Sequence, residues 1–182
     1  LDFVANECQK KGQNNNNDGD YKKFSSMITD VDIGDYGASA EAFYGDAPAH
    51  DVLVRRILLH VICFNFETIG GNVFRSYHAQ PDGNWLTTQI NGHVGRVWNR
   101  TVYGILCEDA IKNGMKVPLS VRGPENFSNN VSLWTVGDDN LESKTDEVAP
   151  WYTFDKQREE FARAGIVYTP AEKDAVTSPD KP

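Results

Sequence analysis

Cysteine is scarce in this chain, and its spacing argues against two classes of protein. The three cysteines, Cys8, Cys63 and Cys107, lie far apart, and no two of them form a CxxC pair. An odd number of widely spaced cysteines is not the pattern of a disulfide framework or of a zinc motif. The cysteine content therefore favours a protein of a reducing compartment.

Long hydrophobic runs are also missing. No apolar stretch approaches the roughly 18 residues needed to cross a bilayer, so we expect no transmembrane segment. The first residues, Leu1 to Val4, contain neither an initiator Met nor a signal-peptide pattern, and we expect the chain to be part of a longer polypeptide. Its 182 residues, 40% of them hydrophobic, suffice for one domain with a proper core.

Positive charge is in short supply. The chain has 18 Lys and Arg against 26 Asp and Glu, a formal net charge of −8. Proteins that bind nucleic acid through its phosphates usually carry a basic surface. Composition alone thus counts against extensive phosphate binding, and any nucleic-acid hypothesis has to explain this deficit.

The first half of the chain predicts a loop, a strand and a helix. Residues 12–20, GQNNNNDGD, have the composition of a flexible surface loop. The segment from Phe24 to Asp32 is typical of a strand that ends in acidic residues. Apolar residues at helical spacing predict a helix from about Val52 to Phe64, and Gly70-Gly71 breaks the pattern before a short strand-like piece at 72–78.

The second half predicts helices around a hairpin. A helix is expected from about Leu86 to Asp109, and two short strands, Val131 to Val136 and Asn140 to Lys144, flank a tight turn. A third helix, capped by Thr153 and ended by Gly165, then leads into a short strand at 166–168. This order predicts an α+β fold with a small antiparallel sheet.

Two adjacent carboxylates, Asp138 and Asp139, occupy the turn of the predicted hairpin within LWTVGDDNL. Gly and Asp are preferred turn residues, so a plain β-turn explains the pair by itself. The alternative is that divalent cations hold the two carboxylates, since hard oxygen ligands at the end of a strand suit Mg²⁺.

A metal site of this kind needs a carboxylate from a second strand. The predicted first strand ends in Asp30, Asp32 and Asp35, which are either solvated turn residues or the missing ligands. Two ions about 3.5–4 Å apart activate an attacking hydroxyl and stabilise the leaving oxygen of an in-line displacement. The pairing therefore indicates phosphoryl or nucleotidyl transfer.

Four segments resemble, in order, motifs A to D of the RNA-dependent RNA polymerases of picorna-like viruses. The resemblance is greatest to the polymerases of iflaviruses and dicistroviruses. Together the four segments span most of residues 28–174. VDIGDYG resembles motif A, which makes Asp32 the metal ligand and places Gly37 near the ribose. An alternative register of motif A uses Asp30 and Asp35 instead. QPDGNWLTTQIN resembles motif B and is followed by Gly92.

In the motif B segment, Gly83, Thr87 and Asn91 keep the G-x3-T-x3-N spacing. Thr87 and Asn91 are one helical turn apart on the same face, and the resemblance implies that these residues recognise the nucleotide sugar. Asp82 and Gly92 depart from the family pattern, which usually has Ser at both places.

VGDDN resembles motif C, in which Asp138 is the main metal ligand, Asp139 supports it and Asn140 contacts substrate. GIVYTPAEK resembles motif D, in which Lys173 is the candidate general acid that protonates the pyrophosphate leaving group. The alternative for Lys173 is an ordinary solvated lysine.

The resemblance implies a polymerase palm, with a small antiparallel sheet packed on helices, as part of a right-hand polymerase. Residues 1–27 would form a lead-in from fingers to palm that contains the flexible loop 12–20. Residues 28–174 would form the palm core with an interleaved fingers segment, and residues 175–182 a frayed end. The basic nucleotide tunnel of the family lies in fingers segments upstream, which accounts for the acidic charge of this chain.

The implied function is RNA-directed RNA polymerisation in viral genome replication. Two Mg²⁺ or Mn²⁺ ions on Asp32, Asp138 and Asp139 would assist attack of the primer 3′-hydroxyl on the α-phosphate of a ribonucleotide. Expected partners are RNA template and primer, ribonucleoside triphosphates and other viral replication proteins, at membrane-associated replication complexes in the host cytoplasm. The chain alone is expected to be inactive, because its template and nucleotide channels are missing.

Two other functions remain open at this point. One is a non-catalytic, degenerate palm used for binding or assembly, which the departures at Gly37, Asp82 and Gly92 favour. The other is a nuclease or cyclase that uses the same two-metal chemistry.

Overall fold

The computed structural model describes residue 6 and residues 11–12, 15–75, 80–81 and 83–171. The chain divides into two compact units, one made of Leu1–Lys22 with Gly95–Pro182 and the other of Lys23–Val94. Its strands, in chain order, are β1 (Asn16–Tyr21), β2 (Phe66–Ile69), β3 (Asn72–Arg75), β4 (Val131–Val136), β5 (Asp139–Lys144) and β6 (Tyr168–Thr169). Its helices are α1 (Phe24–Met27), α2 (Asp30–Phe43), α3 (Ala49–Cys63), α4 (Thr87–Lys112), α5 (Phe127–Asn130) and α6 (Phe154–Arg163), with short 3-10 turns at Leu119–Val121 and Pro124–Asn126.

The first unit is built on a four-stranded antiparallel sheet in the order β4-β5-β1-β6. Strands β4 and β5 form the predicted hairpin, and β1 lies beside β5 although the two are more than a hundred residues apart in sequence. Because side chains alternate along a strand, one face of the sheet carries Asn17, Gly19 and Tyr21, and the other carries Asp18 and Asp20.

Aromatic rings cover the first of these faces, which we call the inner face. The Tyr21 ring lies edge-on to Phe161 of α6 at 5.3 Å and to Trp98 of α4 at 5.8 Å between centroids. The Asn99 side chain donates a 2.6 Å hydrogen bond to the Tyr21 hydroxyl. Tyr21 and Phe161 are almost fully buried, so the core of this unit lies between the sheet and the two helices.

Helix α6 follows its sequence signals. The Thr153 hydroxyl accepts a 3.4 Å hydrogen bond from the backbone N–H of Lys156, as an N-cap does. Gly165 takes a φ of +78° just after the last turn, a left-handed conformation that favours glycine and ends helices. The predicted third helix is confirmed at both ends.

The second unit contains helices α1, α2 and α3, the first turns of α4 and a two-stranded hairpin. Helices α2 and α3 pack together where Gly37 is buried, and a Cβ added there would lie 2.7 Å from Leu59 Cδ1. Strands β2 and β3 pair in an antiparallel hairpin that turns at Gly70-Gly71, both with positive φ. The predicted break at these glycines is a tight turn between two strands.

The loop predicted at 12–20 is wrong, because residues 16–21 form strand β1 inside the sheet. Asn, Asp and Gly have low intrinsic β-propensity, so local composition indicated a loop. Pairing with β5 on one side and β6 on the other overrides that preference. The lead-in described for residues 1–27 therefore contains a sheet strand instead of a flexible insertion.

The strand predicted from Phe24 to Asp32 is also wrong. This segment forms the short helix α1 and then the start of α2. Thr29 caps α2, and Asp32 completes a capping box with it, which is a strong local signal for a helix start.

Most of the remaining element predictions agree with the structure. The strand-like piece predicted at 72–78 begins with β3, and its residues 76–78 lie outside the described residues. Helices α3 and α4 occupy the regions predicted at about 52–64 and 86–109, and the hairpin of β4 and β5 has the predicted strands. The short strand expected at 166–168 is β6, which begins two residues later than predicted, at Tyr168, and ends one residue later, at Thr169. No helix in the described ranges is both long enough and apolar enough to span a membrane.

Candidate functional site

The β4–β5 hairpin presents its two carboxylates at the end of the sheet. Gly137 and Asp138 form a two-residue turn, and the last strand pair is Val136 with Asp139. Gly137 has a φ of +65°, which the first central position of a type II′ hairpin turn requires. Asp138 and Asp139 are both exposed to solvent.

Strand β1 brings a third carboxylate to the same end of the sheet. In the β1–β5 register Asp18 pairs with Leu141 and Gly19 with Asn140. One step further along this register, Asp20 is level with Asp139, and residues directly opposite each other share a face of the sheet. Like charges directly opposite each other on one face destabilise a sheet.

The donor set of Asp20, Asp138 and Asp139 suits a hard divalent cation. Mg²⁺ binds through one or two carboxylates and takes its other ligands from water and substrate phosphates, so it needs no complete protein cage. Within the described ranges, no group of three or more His, Cys, Asp or Glu side chains forms a ready-made metal cage.

Asp32, the metal ligand predicted from sequence, serves as a helix cap. Its Oδ2 accepts hydrogen bonds from the backbone N–H of Thr29 at 2.8 Å and from the Thr29 hydroxyl at 2.7 Å. It belongs to the second unit, whereas Asp138 belongs to the first. The prediction rested on the motif A register and on a strand expected to end in Asp30, Asp32 and Asp35, and the second support is lost because these residues lie in α2.

The alternative register of motif A meets the same objection. Asp30 is the first residue of α2, and Asp35 lies in its second turn. The Asp35 carboxylate is 3.0 Å from Nε2 of His93, with which it forms an ion pair when the imidazole is protonated. Neither residue ends a strand.

Helix packing explains why position 37 is a glycine. It is buried in α2, and the space for a Cβ is taken by Leu59 of α3. The absence of a side chain lets the two helices approach each other closely. The expected position of Gly37 near a ribose rested on the same register as Asp32 and loses its basis with it.

The motif B segment has the predicted loop and helix. Gly83 takes a φ of +79°, and α4 begins at Thr87. The Thr87 hydroxyl is 3.5 Å from the Pro81 carbonyl. Asn91, one turn later, is 4% exposed, and its Oδ1 finds no partner among the described residues.

Asn140 faces away from the acidic residues beside it. Its side chain is buried on the inner face, where Oδ1 accepts a 2.7 Å hydrogen bond from the Tyr168 hydroxyl. Its Nδ2 has no partner within the described ranges. The predicted contact of Asn140 with substrate is therefore not supported on the face that carries Asp139.

Three predicted positions remain, and two of them are outside the described residues. Lys173, the expected general acid, lies outside the described residues, as does Asp82. Gly92 lies within α4.

A buried ion pair lies on the inner face of the sheet. The Lys144 ammonium lies 3.0 Å from Glu142 Oε1 and donates a 2.7 Å hydrogen bond to the Tyr152 carbonyl. The same Glu142 oxygen accepts hydrogen bonds from Asn17 of β1 at 2.8 Å and from Gln157 of α6 at 2.6 Å. This carboxylate thus ties β1, β5 and α6 together.

Tyrosine side chains around this ion pair are held in their neutral form. Burial, followed by the nearby Glu142 carboxylate, raises the pKa of Tyr168 and Tyr152 well above the usual range. Burial likewise raises the pKa of Tyr21, against the opposing effect of its hydrogen bond from Asn99. All three hydroxyls therefore remain protonated near neutral pH.

Sequence reasoning missed Asp20, Glu142 and Tyr168. A signal for Asp20 was present, since Gly19 and Tyr21 alternate with Asp18 and Asp20 as the two faces of a strand do. The run of asparagines before them favoured a loop and hid this alternation.

An acidic hairpin turn beside an acidic strand, on a small antiparallel sheet backed by helices, defines the palm of a right-hand polymerase. A family model described as viral RNA-dependent RNA polymerase matches residues 4–182. The chain belongs to the viral RNA-dependent RNA polymerase family. The resemblance found in the sequence is thereby confirmed.

Similar proteins come from insect and plant viruses. The chain is 28% identical over 152 residues to the replicase polyprotein of Acute bee paralysis virus, covering 83% of this chain and 8% of that protein. It is 30% identical over 91 residues to the replicase polyprotein of Cricket paralysis virus, covering 50% of this chain and 5% of that protein. The RNA1 polyprotein of Grapevine chrome mosaic virus is 26% identical over 166 residues, covering 90% of this chain and 7% of that protein.

A solved structure shares the fold. The Sicinivirus 3Dpol RNA dependent RNA polymerase matches with a TM-score of 0.52 and 16% identity, covering 92% of this chain and 31% of that one. The predicted fold class, an α+β polymerase palm, is confirmed. The chain spans less than a tenth of the curated relatives and about a third of this polymerase.

Proposed function

We propose that this chain is the catalytic palm of an RNA-directed RNA polymerase that replicates a viral genome. The observation that carries the proposal is the β1–β5 register, which puts Asp20 level with Asp139 beside the Asp138 turn. In this proposal Asp20 replaces Asp32 as the motif A carboxylate. Five residues after Asp20 the sequence has Ser25, a departure from the Asp or Gly expected there.

Two divalent ions, Mg²⁺ or Mn²⁺, would be held by Asp20 and Asp138, with Asp139 in support. When bound, such ions activate an attacking hydroxyl and neutralise charge on a leaving phosphate oxygen. The chain's own contribution is to hold three carboxylates at one end of a rigid sheet, where the tight turn and the β1 pairing limit their movement. The substrates would be ribonucleoside triphosphates, with RNA as template and primer.

Gly83, Thr87 and Asn91 keep their proposed role in recognising the nucleotide sugar. Support comes from the buried Oδ1 of Asn91, an acceptor without a partner among the described residues, because a ribose 2′-hydroxyl can donate to such an atom. Lys173 remains the proposed general acid. The host cytoplasm, membrane-associated replication complexes and other viral replication proteins complete the proposed setting.

Primer extension tests the proposal. The chain should be placed in its flanking polypeptide and assayed with a primed RNA template, Mn²⁺ or Mg²⁺ and labelled nucleotides. We expect extension by the longer polypeptide, no extension by the 182-residue chain alone, and loss of extension in Asp20→Asn and Asp138→Asn. Asp32→Asn is the matched control, because it changes an acid of the helix cap only.

Absence of incorporation by the longer polypeptide with either metal would overturn the catalytic role and leave a non-catalytic palm. Cleavage of RNA without extension would indicate a nuclease. An Asp32→Asn variant that loses activity while Asp20→Asn keeps it would restore the original motif A assignment.

A further inference from the structure

The sequence of β1 leaves its register on β5 weakly specified. Residues 16–20 are Asn, Asn, Asp, Gly and Asp, so within β1 only Tyr21, at its end, supplies a buried aromatic side chain that favours one alignment. A slide by two residues keeps every side chain on its face. It would put Asp18 level with Asp139, and Asn15 in the place of Asn17 opposite Glu142. Nearly the same polar contacts would form in the wrong register.

Tyr168 distinguishes the two registers through its contact with Gly19. A Cβ added at Gly19 would lie 2.0 Å from the Tyr168 hydroxyl oxygen and 2.2 Å from its Cζ, so only glycine fits there. A slide by two residues would bring Asn17 to this place, and a slide in the other direction would bring Tyr21. Both have a Cβ, and both would collide with the ring.

The Tyr168 ring is held in place on several sides. Its centroid lies 4.8 Å from Tyr21, 5.0 Å from Phe154 and 5.0 Å from Phe161. Its hydroxyl passes Gly19 and donates its 2.7 Å hydrogen bond to Asn140 on β5, the residue opposite Gly19. Because Tyr168 is 1% exposed, the ring has no open space into which to move.

We propose that Tyr168 is a positioning residue that selects the β1–β5 register by admitting only Gly19 beneath its ring, and so places Asp20 level with Asp139. The inference rests on the proposed function, since the register matters for catalysis only if these carboxylates bind metal. It also gives Asn140 its role, as the anchor of the Tyr168 hydroxyl on β5.

Engineered disulfides report the register without any metal. In a background with the three native cysteines changed to alanine, Asp18→Cys with Leu141→Cys joins the observed pair, and Asn16→Cys with Leu141→Cys joins the slid pair. Cβ atoms of directly opposite residues are about 4.5–5.5 Å apart, and those of diagonal residues somewhat less than about 7–8 Å. A disulfide needs a Cβ–Cβ distance of about 3.5–4.5 Å, so each pair forms readily only in the register that puts its two cysteines opposite each other. The three positions used, 16, 18 and 141, avoid Asp20, Asp138 and Asp139.

The test compares how fast the two cysteine pairs form disulfides in chains with and without the Tyr168 ring. Tyr168→Leu keeps an apolar strand residue but removes the atoms nearest Gly19. We expect the observed pair to form at least about tenfold faster than the slid pair in the otherwise unaltered chain, and this ratio to fall about tenfold with Tyr168→Leu. Phe154→Ala is the matched control, since it removes a ring that packs on Tyr168 without lying against Gly19.

A second variant covers the case in which Tyr168→Leu does not fold. Gly19→Ala should abolish the observed cross-link, and Gly19→Ala with Tyr168→Leu should regain it, because the shorter side chain vacates the space. Gly34→Ala, where no heavy atom lies within 4 Å of the added Cβ, is its control.

The two possible failures are distinguishable. A cross-linking ratio that does not respond to Tyr168→Leu, or Gly19→Ala without loss of the observed pair, would overturn the role of Tyr168. A ratio that responds as expected in a chain that binds no Mn²⁺ would support register selection and overturn the metal site. Weaker Mn²⁺ binding in Tyr168→Leu, with Phe154→Ala unchanged, would support both.

Discussion

Two of the three carboxylates of the candidate site are adjacent in the sequence, and the third is far from them. Asp138 and Asp139 are neighbours within one hairpin turn, and the local pattern of Gly and Asp between two strands was enough to predict their place. Asp20 joins them only through pairing of β1 with β5. Such a contact depends on tertiary structure and leaves no local pattern in the sequence. The sequence therefore predicted Asp32 instead, at the end of a strand that does not form.

The helix-cap role of Asp32 has a measurable consequence for stability. Asp32→Ala removes the acceptor for the Thr29 backbone N–H and hydroxyl, and we expect a loss of about 0.5–2 kcal/mol in the free energy of unfolding. Urea denaturation measures it. Asp46→Ala, at an exposed turn position, is the control and should change stability little.

Unchanged stability of Asp32→Ala together with lost Mn²⁺ binding would show that Asp32 is a ligand after all. Loss of stability with metal binding retained is the result that the capping box predicts.

At the scale of elements, the sequence predicted those helices and strands that have strong local signals. The regular apolar spacing of α3 and α4 and the cap of α6 are local signals, and all three helices lie where expected. Strand β1 was missed because its residues disfavour sheets individually, and its stability comes from pairing on both sides and from the Tyr21 ring. No local sequence pattern indicates which strands and rings β1 contacts.

The close contact of α2 with α3 depends on Gly37. Gly37→Ala should cost about 1–3 kcal/mol of unfolding free energy, because its Cβ would meet Leu59 Cδ1 at 2.7 Å. Gly34→Ala, on the same helix with open space around it, should instead gain up to about 1 kcal/mol from helix propensity. Equal effects of the two substitutions in thermal or urea denaturation would contradict the packing role of Gly37.

The buried ion pair beneath the sheet should be costly to break. Lys144→Met leaves Glu142 charged and buried without its cation, and we expect a loss of about 3–5 kcal/mol in the free energy of unfolding. Lys112→Met is the control, since its ammonium is exposed and 3.6 Å from Glu108. Urea denaturation of the two variants should differ clearly, and a Lys144→Met chain as stable as the control would refute the role of the pair in joining β1, β5 and α6.

At the scale of the whole molecule, the acidic composition is compatible with the family if the candidate site binds metal ions. A net charge of −8 counted against phosphate binding, yet the chain belongs to a polymerase family. Its acidic residues include the three that share one end of the sheet, where bound cations would reverse the local charge. Net charge over a whole chain therefore says little about a site that works through metal ions.

Buried tyrosines predict how stability depends on alkaline pH. Because burial raises the pKa of Tyr21, Tyr152 and Tyr168 in the folded protein, the unfolded chain loses these protons at lower pH. The stability they contribute is complete below the usual tyrosine pKa of about 10 and falls as pH rises above it, by about 1.4 kcal/mol per pH unit for each group.

Urea denaturation between pH 8 and about 11 checks this prediction. We expect Tyr168→Phe to make the unfolding free energy fall less steeply with pH, by about the contribution of one tyrosine. Tyr44→Phe, at an exposed position, is the control. Stability that is independent of pH in this range would contradict the burial of these hydroxyls.

Divalent metal binding by the chain itself tests the central assignment most directly. Mn²⁺ titration, followed by calorimetry or by electron paramagnetic resonance, should be carried out on the unaltered chain and on Asp20→Asn, Asp138→Asn and Asp32→Asn. We predict that the first two substitutions weaken Mn²⁺ binding about tenfold or more, equivalent to about 1.4 kcal/mol, and that Asp32→Asn leaves it unchanged. No binding by the unaltered chain at millimolar Mn²⁺, or a loss confined to Asp32→Asn, would contradict the account.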